Sequence, residues 1–181
     1  MEETSVKEID FDEEDKKFIN HLIKFRREDN RGALANLRRG LGKKPGTAME
    51  MYPYINRQIP DTKKTNAYFI VAALFGLYPD AEHTKGNLGE SLLLLESKTQ
   101  EQRKSSPDDK KISSVERRLV ALLNAKEEDL PNHLRQILGL LKSNEMPINW
   151  FRLLKDIKFW SDEKNSDTQR QWAKAFWGRK N

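Results

Sequence analysis

Apolar positions recur at three- and four-residue spacing through most of the chain, which is the period of one helix face. Phe11, Phe18, Ile19 and Leu22 fall on a first stripe, and Ala33, Leu34, Leu37 and Leu41 on a second. Gly40, Gly42, Pro45 and Gly46 break that second helix. A short segment with Met49, Met51, Tyr52 and Ile55 follows, closed by Pro60. Asp61 or Thr62 is placed to cap the next helix, which runs to Tyr78 and stops before Pro79. The heart of that helix, AYFIVAALFGLY, is apolar nearly all round and reads as the buried core of the first half. Its composition also suits a strand, but its length favours a helix. Leu92 to Leu95 supply a fifth helix.

Residues 99–111, TQEQRKSSPDDKK, carry no apolar stripe and read as a linker or mobile loop. Beyond it, Ser113 with Glu116 forms a capping box for a helix bearing Ile112, Val115, Leu119, Leu122 and Leu123. Leu130, Leu134, Ile137, Leu138 and Leu141 define the next, which Pro147 closes. Asn149 caps a helix with Trp150, Leu153, Leu154, Ile157 and Trp160, and Ser166 with Gln169 makes a second capping box before Trp172 and Phe176. These aromatics sit at core spacing, whereas Trp177 falls outside the stripe and suits an interface with another subunit. No alternating strand and no fixed-period repeat is visible. The expected architecture is all-α, in two small helical bundle domains: 1–98, then the linker 99–111, then 112–181.

Charge changes this picture more than size does. The 181 residues carry a net charge of +5, distributed in blocks. Residues 1–23 hold 3 basic and 8 acidic side chains, and residues 24–64 hold 11 and 4. Residues 65–110 hold 5 and 7, and residues 111–181 hold 14 and 9. Two basic blocks, one in each half, point to a polyanionic partner; the competing reading is helix faces that are merely solvated. No cysteine is present, which excludes disulfides and thiolate metal sites and fits a reducing cytoplasm. The acidic start, MEETSVKEIDFDEED, is not a signal peptide, and the run Ala67 to Tyr78 is too short to span a bilayer.

Catalytic and cofactor motifs are missing. GLGKKPGT (40–47) resembles a phosphate loop but lacks its ending and has no strand before it. PDDKK (107–111) has nuclease-like composition, yet contiguous residues in a polar loop cannot converge on a metal as ligands from separate rigid elements do. His21, His83 and His133 have no ligand spacing, and His133 reads as a boundary histidine bonded to a neighbour. No acid stands isolated inside an apolar run, where burial would tune it. No catalytic residue, cofactor or metal is expected.

The basic residues do form an arrangement. Arg31 and Arg38 are seven apart, which brings them within about 20° on a helix. Arg39 follows on the polar face, and Lys43 and Lys44 carry the positive surface into the loop. Arg135 and Lys142 repeat the spacing in the second half, with Arg117 and Arg118 on the preceding helix and Arg170 on the last. Guanidinium forks pair with phosphate oxygens in two parallel hydrogen bonds, so rows of arginine suit a nucleic-acid backbone and read no sequence. Any one of them taken alone is as well explained by a surface ion pair.

The strings RGALANLRRGLG (31–42), VERRLVALLNAKEEDLPNHLRQILGLLKS (115–143), INWFRLLKDIKFW (148–160) and QRQWAKAFW (169–177) resemble the CasB family, the small subunits of the type I-E CRISPR effector complex, Cascade. The resemblance runs from about Phe18 to Trp177 and is most specific in the second half. It implies a two-domain helical protein without catalytic activity, working in a prokaryotic cytoplasm. It further implies a second copy of the chain, backbone and large subunits, guide RNA, and single-stranded or R-loop DNA as partners. By motif position it puts nucleic-acid contact at Arg38 and Arg39 of LRRGL, Arg117 and Arg118 of VERR, Arg135 of HLRQ and Arg170 of QRQW. Two competing functions are a helix-turn-helix regulator, which would concentrate base-reading side chains on one helix, and a helical scaffold that binds only protein.

Overall fold

The computed structural model describes residues 11–103, 113–161 and 167–178. They form an all-α fold: α1 (Glu13–Arg27), α2 (Arg31–Arg38), α3 (Tyr52–Ile55), α4 (Thr65–Leu77), α5 (Leu88–Arg103), α6 (Ser114–Leu123), α7 (Leu130–Ser143), α8 (Trp150–Lys158) and α9 (Asp167–Trp177). A 3-10 turn, Met49–Met51, leads into α3. The second capping box, the end of the proposed linker and the acidic start involve Ser166, residues 104–112 and residues 1–10, which lie outside the described residues.

Helix α4 is the axis of the core. Every residue from Ala67 to Gly76 is buried, because α2, α7 and α8 close around it. The segment that composition left open between helix and strand is therefore helical, with an apolar surface on all sides. Helix α2 approaches it most closely at Gly76. A Cβ there would lie 2.9 Å from the Leu34 carbonyl oxygen and 3.0 Å from the Arg38 nitrogen, so only glycine admits this backbone contact. Apolar side chains of both halves, from Phe18 and Leu22 to Trp172 and Phe176, join one buried cluster, with α1 also packing on α8 and α5 on α9.

Local signals set several helix starts. Asn30 accepts from the Ala33 N–H, Ser113 from Glu116 and Asn149 from Arg152, each at 2.9–3.0 Å. Such caps contribute about 1 kcal/mol each. The start of α4 differs from expectation. Thr62 Oγ1 accepts from the Lys64 N–H, and its carbonyl accepts the Thr65 hydroxyl, so Thr62 closes a turn and the helix begins three residues later. Helix α5 also runs on to Arg103, into the stretch expected to be a linker. Phe11 precedes α1 and packs on Phe151, 5.9 Å between ring centroids.

Carboxylates are buried after all, at positions where another helix brings the compensating donor. Asp15 of α1, 2% exposed, accepts from the Tyr68 hydroxyl at 2.6 Å and from Lys158 Nζ at 2.9 Å, tying α1, α4 and α8 together. Asp156 of α8 accepts from Arg152 Nε at 2.7 Å and from Trp172 Nε1 at 2.6 Å, which locks α9 onto α8. Burial pushes its carboxyl above the ordinary range, and the Arg152 charge and the two hydrogen bonds offset only part of that. Glu96 accepts the Ser113 hydroxyl at 2.6 Å, joining α5 to the start of α6.

Candidate nucleic-acid interface

The first basic block is shaped by the way α2 ends. Helix α2 stops at Arg38, and the chain turns through Gly42 (φ 71°) and Gly46 (φ 79°), left-handed conformations that favour glycine. Thr47 Oγ1 donates to the Lys44 carbonyl at 2.7 Å and the Tyr52 hydroxyl to the Gly46 carbonyl at 2.9 Å, which fixes the loop. Its inner side lies over Met51, Phe69, Ile70 and Ala73. Buried apolar contacts thus hold the backbone while Arg38, Arg39, Lys43 and Lys44 stay exposed.

The start of α7, with Arg135 of the second block, arrives at this same loop. Pro131, in the first turn of α7, lines its inner side. A Cβ on Gly42 would lie 3.1 Å from Asn132 Oδ1 and 3.2 Å from Arg135 Nη1. The guanidinium of Arg135 therefore rests on the Gly42 backbone, between Arg38 and Arg39 on one side of the sequence and Lys43 and Lys44 on the other. Arg135 thus lies beside a loop that carries Lys43 and Lys44 and follows Arg38 and Arg39, up to 97 positions away in sequence. Asn132 beside them carries an amide suited to a phosphate or base edge; sequence spacing did not single it out, because its place depends on the approach of α7 to the loop.

The remaining cations have different surroundings. Arg31 is exposed and pairs with Asp29 at 3.2 Å. Arg39 pairs with Glu50 at 3.4 Å. Lys142, seven residues from Arg135, donates to the Leu77 carbonyl at 2.9 Å, where it satisfies the C-terminal end of α4. Arg118 Nη1 donates to the Ser114 carbonyl one turn back at 3.2 Å, and Arg117 is exposed beside it on α6. Arg170 is exposed on α9. Trp177 turns out to face its own chain. Its Nε1 donates to Glu116 Oε1 at 2.9 Å and its ring packs edge-on against Phe176, so it fastens α9 to α6. Trp150, Trp160, Trp172 and Phe176 are core residues.

The loop and its surroundings offer exposed guanidinium and ammonium groups at Arg38, Arg39, Lys43, Lys44 and Arg135, chemistry suited to oxyanions. Among the described residues, no three of His, Asp and Glu come together in a way that could hold a metal ion. No helix among them is long and apolar enough to cross a membrane.

The profile of the CRISPR-associated protein Cse2 family matches residues 33–177. A CRISPR-associated protein Cse2 from Thermus thermophilus is 30% identical over 151 residues, covering 81% of this chain and 79% of that protein. The crystal structure of a Cse2-family protein from Thermus thermophilus superposes with a TM-score of 0.73 at 26% identity, over 91% of this chain and 97% of that one. A chain in a structure described as a CRISPR RNA-guided surveillance complex has the same fold, with a TM-score of 0.73 at 21% identity over 90% of this chain and 91% of that one.

Proposed function

The chain belongs to the Cse2 family of CRISPR-associated proteins, also called CasB, and on that premise we propose that it is the non-catalytic small subunit of a type I-E surveillance complex, Cascade. It binds beside a second copy of itself and against the backbone and large subunits in the cytoplasm of a prokaryote. Its basic surface holds the displaced DNA strand and the region where guide RNA pairs with target, and so stabilises the R-loop.

The single observation that supports this reading is the contact of Arg135 with Gly42, in the loop that carries Lys43 and Lys44 and follows Arg38 and Arg39. The proposal also takes in Arg31, Arg117, Arg118 and Arg170, which are exposed on α2, α6 and α9. The fold shared with a chain of a surveillance complex supports the assembly part of the proposal. The physics supports the rest. Opening an R-loop exchanges one duplex for another at nearly equal free energy, so a few phosphate contacts shift the balance. Five such contacts on a single strand give a salt slope of about −3.5, with little dependence on sequence.

The test is target binding by the assembled complex carrying Arg38→Glu, Arg39→Glu and Arg135→Glu together. R-loop formation is expected to fall while helical content and assembly persist. Unchanged target binding by a correctly assembled variant would remove the groove from the proposal.

A further inference from the structure

The basic surface contains its own anion. Glu50 lies in the 3-10 turn Met49–Met51, and its carboxylate meets Arg39 Nη1 at 3.4 Å. Its turn is anchored by Ala48 and Met51, which are 3% and 1% exposed, while Glu50 itself is exposed. Met51 also fills the space that a Cβ on Gly40 would need, which presses the turn against the end of α2. The carboxyl is held below the ordinary carboxylate range by its own backbone N–H, and then by the charges of Lys43 and Arg39. Arg39 thus already has an anionic partner in the free protein.

We propose that Glu50 is a resident competitor for Arg39, occupying its guanidinium until a nucleic-acid phosphate displaces the carboxylate. This rests on the reading of the surface as a phosphate-binding groove and names the residue that sets its strength. A phosphate arriving at Arg39 must break an existing pair and then tolerate Glu50 nearby. The isolated subunit therefore holds nucleic acid more weakly than its cations alone would dictate. Tight retention then requires several contacts made together, as on a long strand laid across the whole surface. Exposed ion pairs are individually weak, so the exchange at Arg39 is reversible at ordinary ionic strength.

The experiment compares the full chain with Glu50→Gln, Arg39→Gln and the double variant, binding a labelled single-stranded DNA of mixed sequence across a salt series. Glu50→Gln is expected to bind about three- to tenfold more tightly at low salt, with a steeper salt dependence. The gain should vanish in the Arg39→Gln background, because the competition needs Arg39. A gain that persists without Arg39 would reduce Glu50 to a contribution to net charge and overturn the proposal. So would equal affinity of the native chain and Glu50→Gln, or no binding by either at low salt. The underlying groove reading fails separately, when the Arg38→Glu, Arg39→Glu, Arg135→Glu variant binds as tightly as the native chain.

Discussion

Lys142 of α7 donates a hydrogen bond to the carbonyl of Leu77, the last residue of α4, at 2.9 Å. Sequence spacing pairs Lys142 with Arg135 as a phosphate contact, but the ammonium group is engaged inside the chain, at the negative end of the core helix. The two members of this row therefore separate experimentally. Lys142→Ala is expected to lower stability by about 1 kcal/mol or less, since the group is exposed, and to leave single-strand binding within about twofold of native. Urea unfolding and a binding titration on the same preparation check both halves. A large loss of binding with unchanged stability would return Lys142 to the groove.

Gly42 combines a φ of 71° with close contact to Arg135. Gly42→Ala is expected to cost about 1 kcal/mol from the left-handed backbone alone. The new methyl group would also require the Arg135 guanidinium and Asn132 Oδ1 to shift by a few tenths of an ångström, which exposed side chains can do, so binding to single-stranded DNA should stay within about twofold of native. A several-fold loss of affinity would show that the groove needs Arg135 held at this spot.

Lys158 and Asp15 form a buried pair in which each is the main compensation for the other. Lys158→Met leaves the Asp15 carboxylate buried with only the Tyr68 hydroxyl, and is expected to cost about 3 kcal/mol or more in urea unfolding. Adding Asp15→Asn should recover part of that loss, because the unpaired charge disappears with it. Equal destabilisation by the single and double variants would show that packing, not charge, dominates at this junction.

The folded protein holds Asp156 at a pKa above its ordinary value of 3.8, through burial. The native state therefore binds more protons than the unfolded chain in the pH range just above that value. This contribution to stability is fully present below it and is lost as pH rises through the folded pKa. Measured by urea midpoints from acid to neutral pH, the native protein should lose stability relative to Asp156→Asn as pH increases. A difference between the two that stays constant across the range would contradict the assignment.

What the sequence makes legible here is whatever a helix decides locally. The stripes of Leu134, Ile137 and Leu141, or of Leu153, Leu154 and Ile157, are buried as their period demands. Asn149 and Ser113 cap as read, since a cap needs only three neighbouring residues. Thr62 was harder, because its hydroxyl had a choice of backbone N–H groups and the turn took it. Pairings between distant residues are not legible in this way. Lys142 answers to Leu77, Trp177 to Glu116, and Asp15 to Lys158 and Tyr68. A carboxylate in a polar stretch of sequence looks solvated until another helix delivers a donor to it. The candidate surface was half legible. Its residue types and helix spacings were visible, but the meeting of Arg135 with the Gly42 loop is a tertiary event, as is the presence of Glu50 beside Arg39.

The seam between Gly42 and Arg135 gives the basic surface the character of a conformational epitope. An unfolded or half-folded chain carries all the same charges but presents them as scattered points, with no fixed array for a strand to follow. On the function proposed above, an array that joins Arg135 to the Gly42 loop therefore exists only once α7 has docked on that loop.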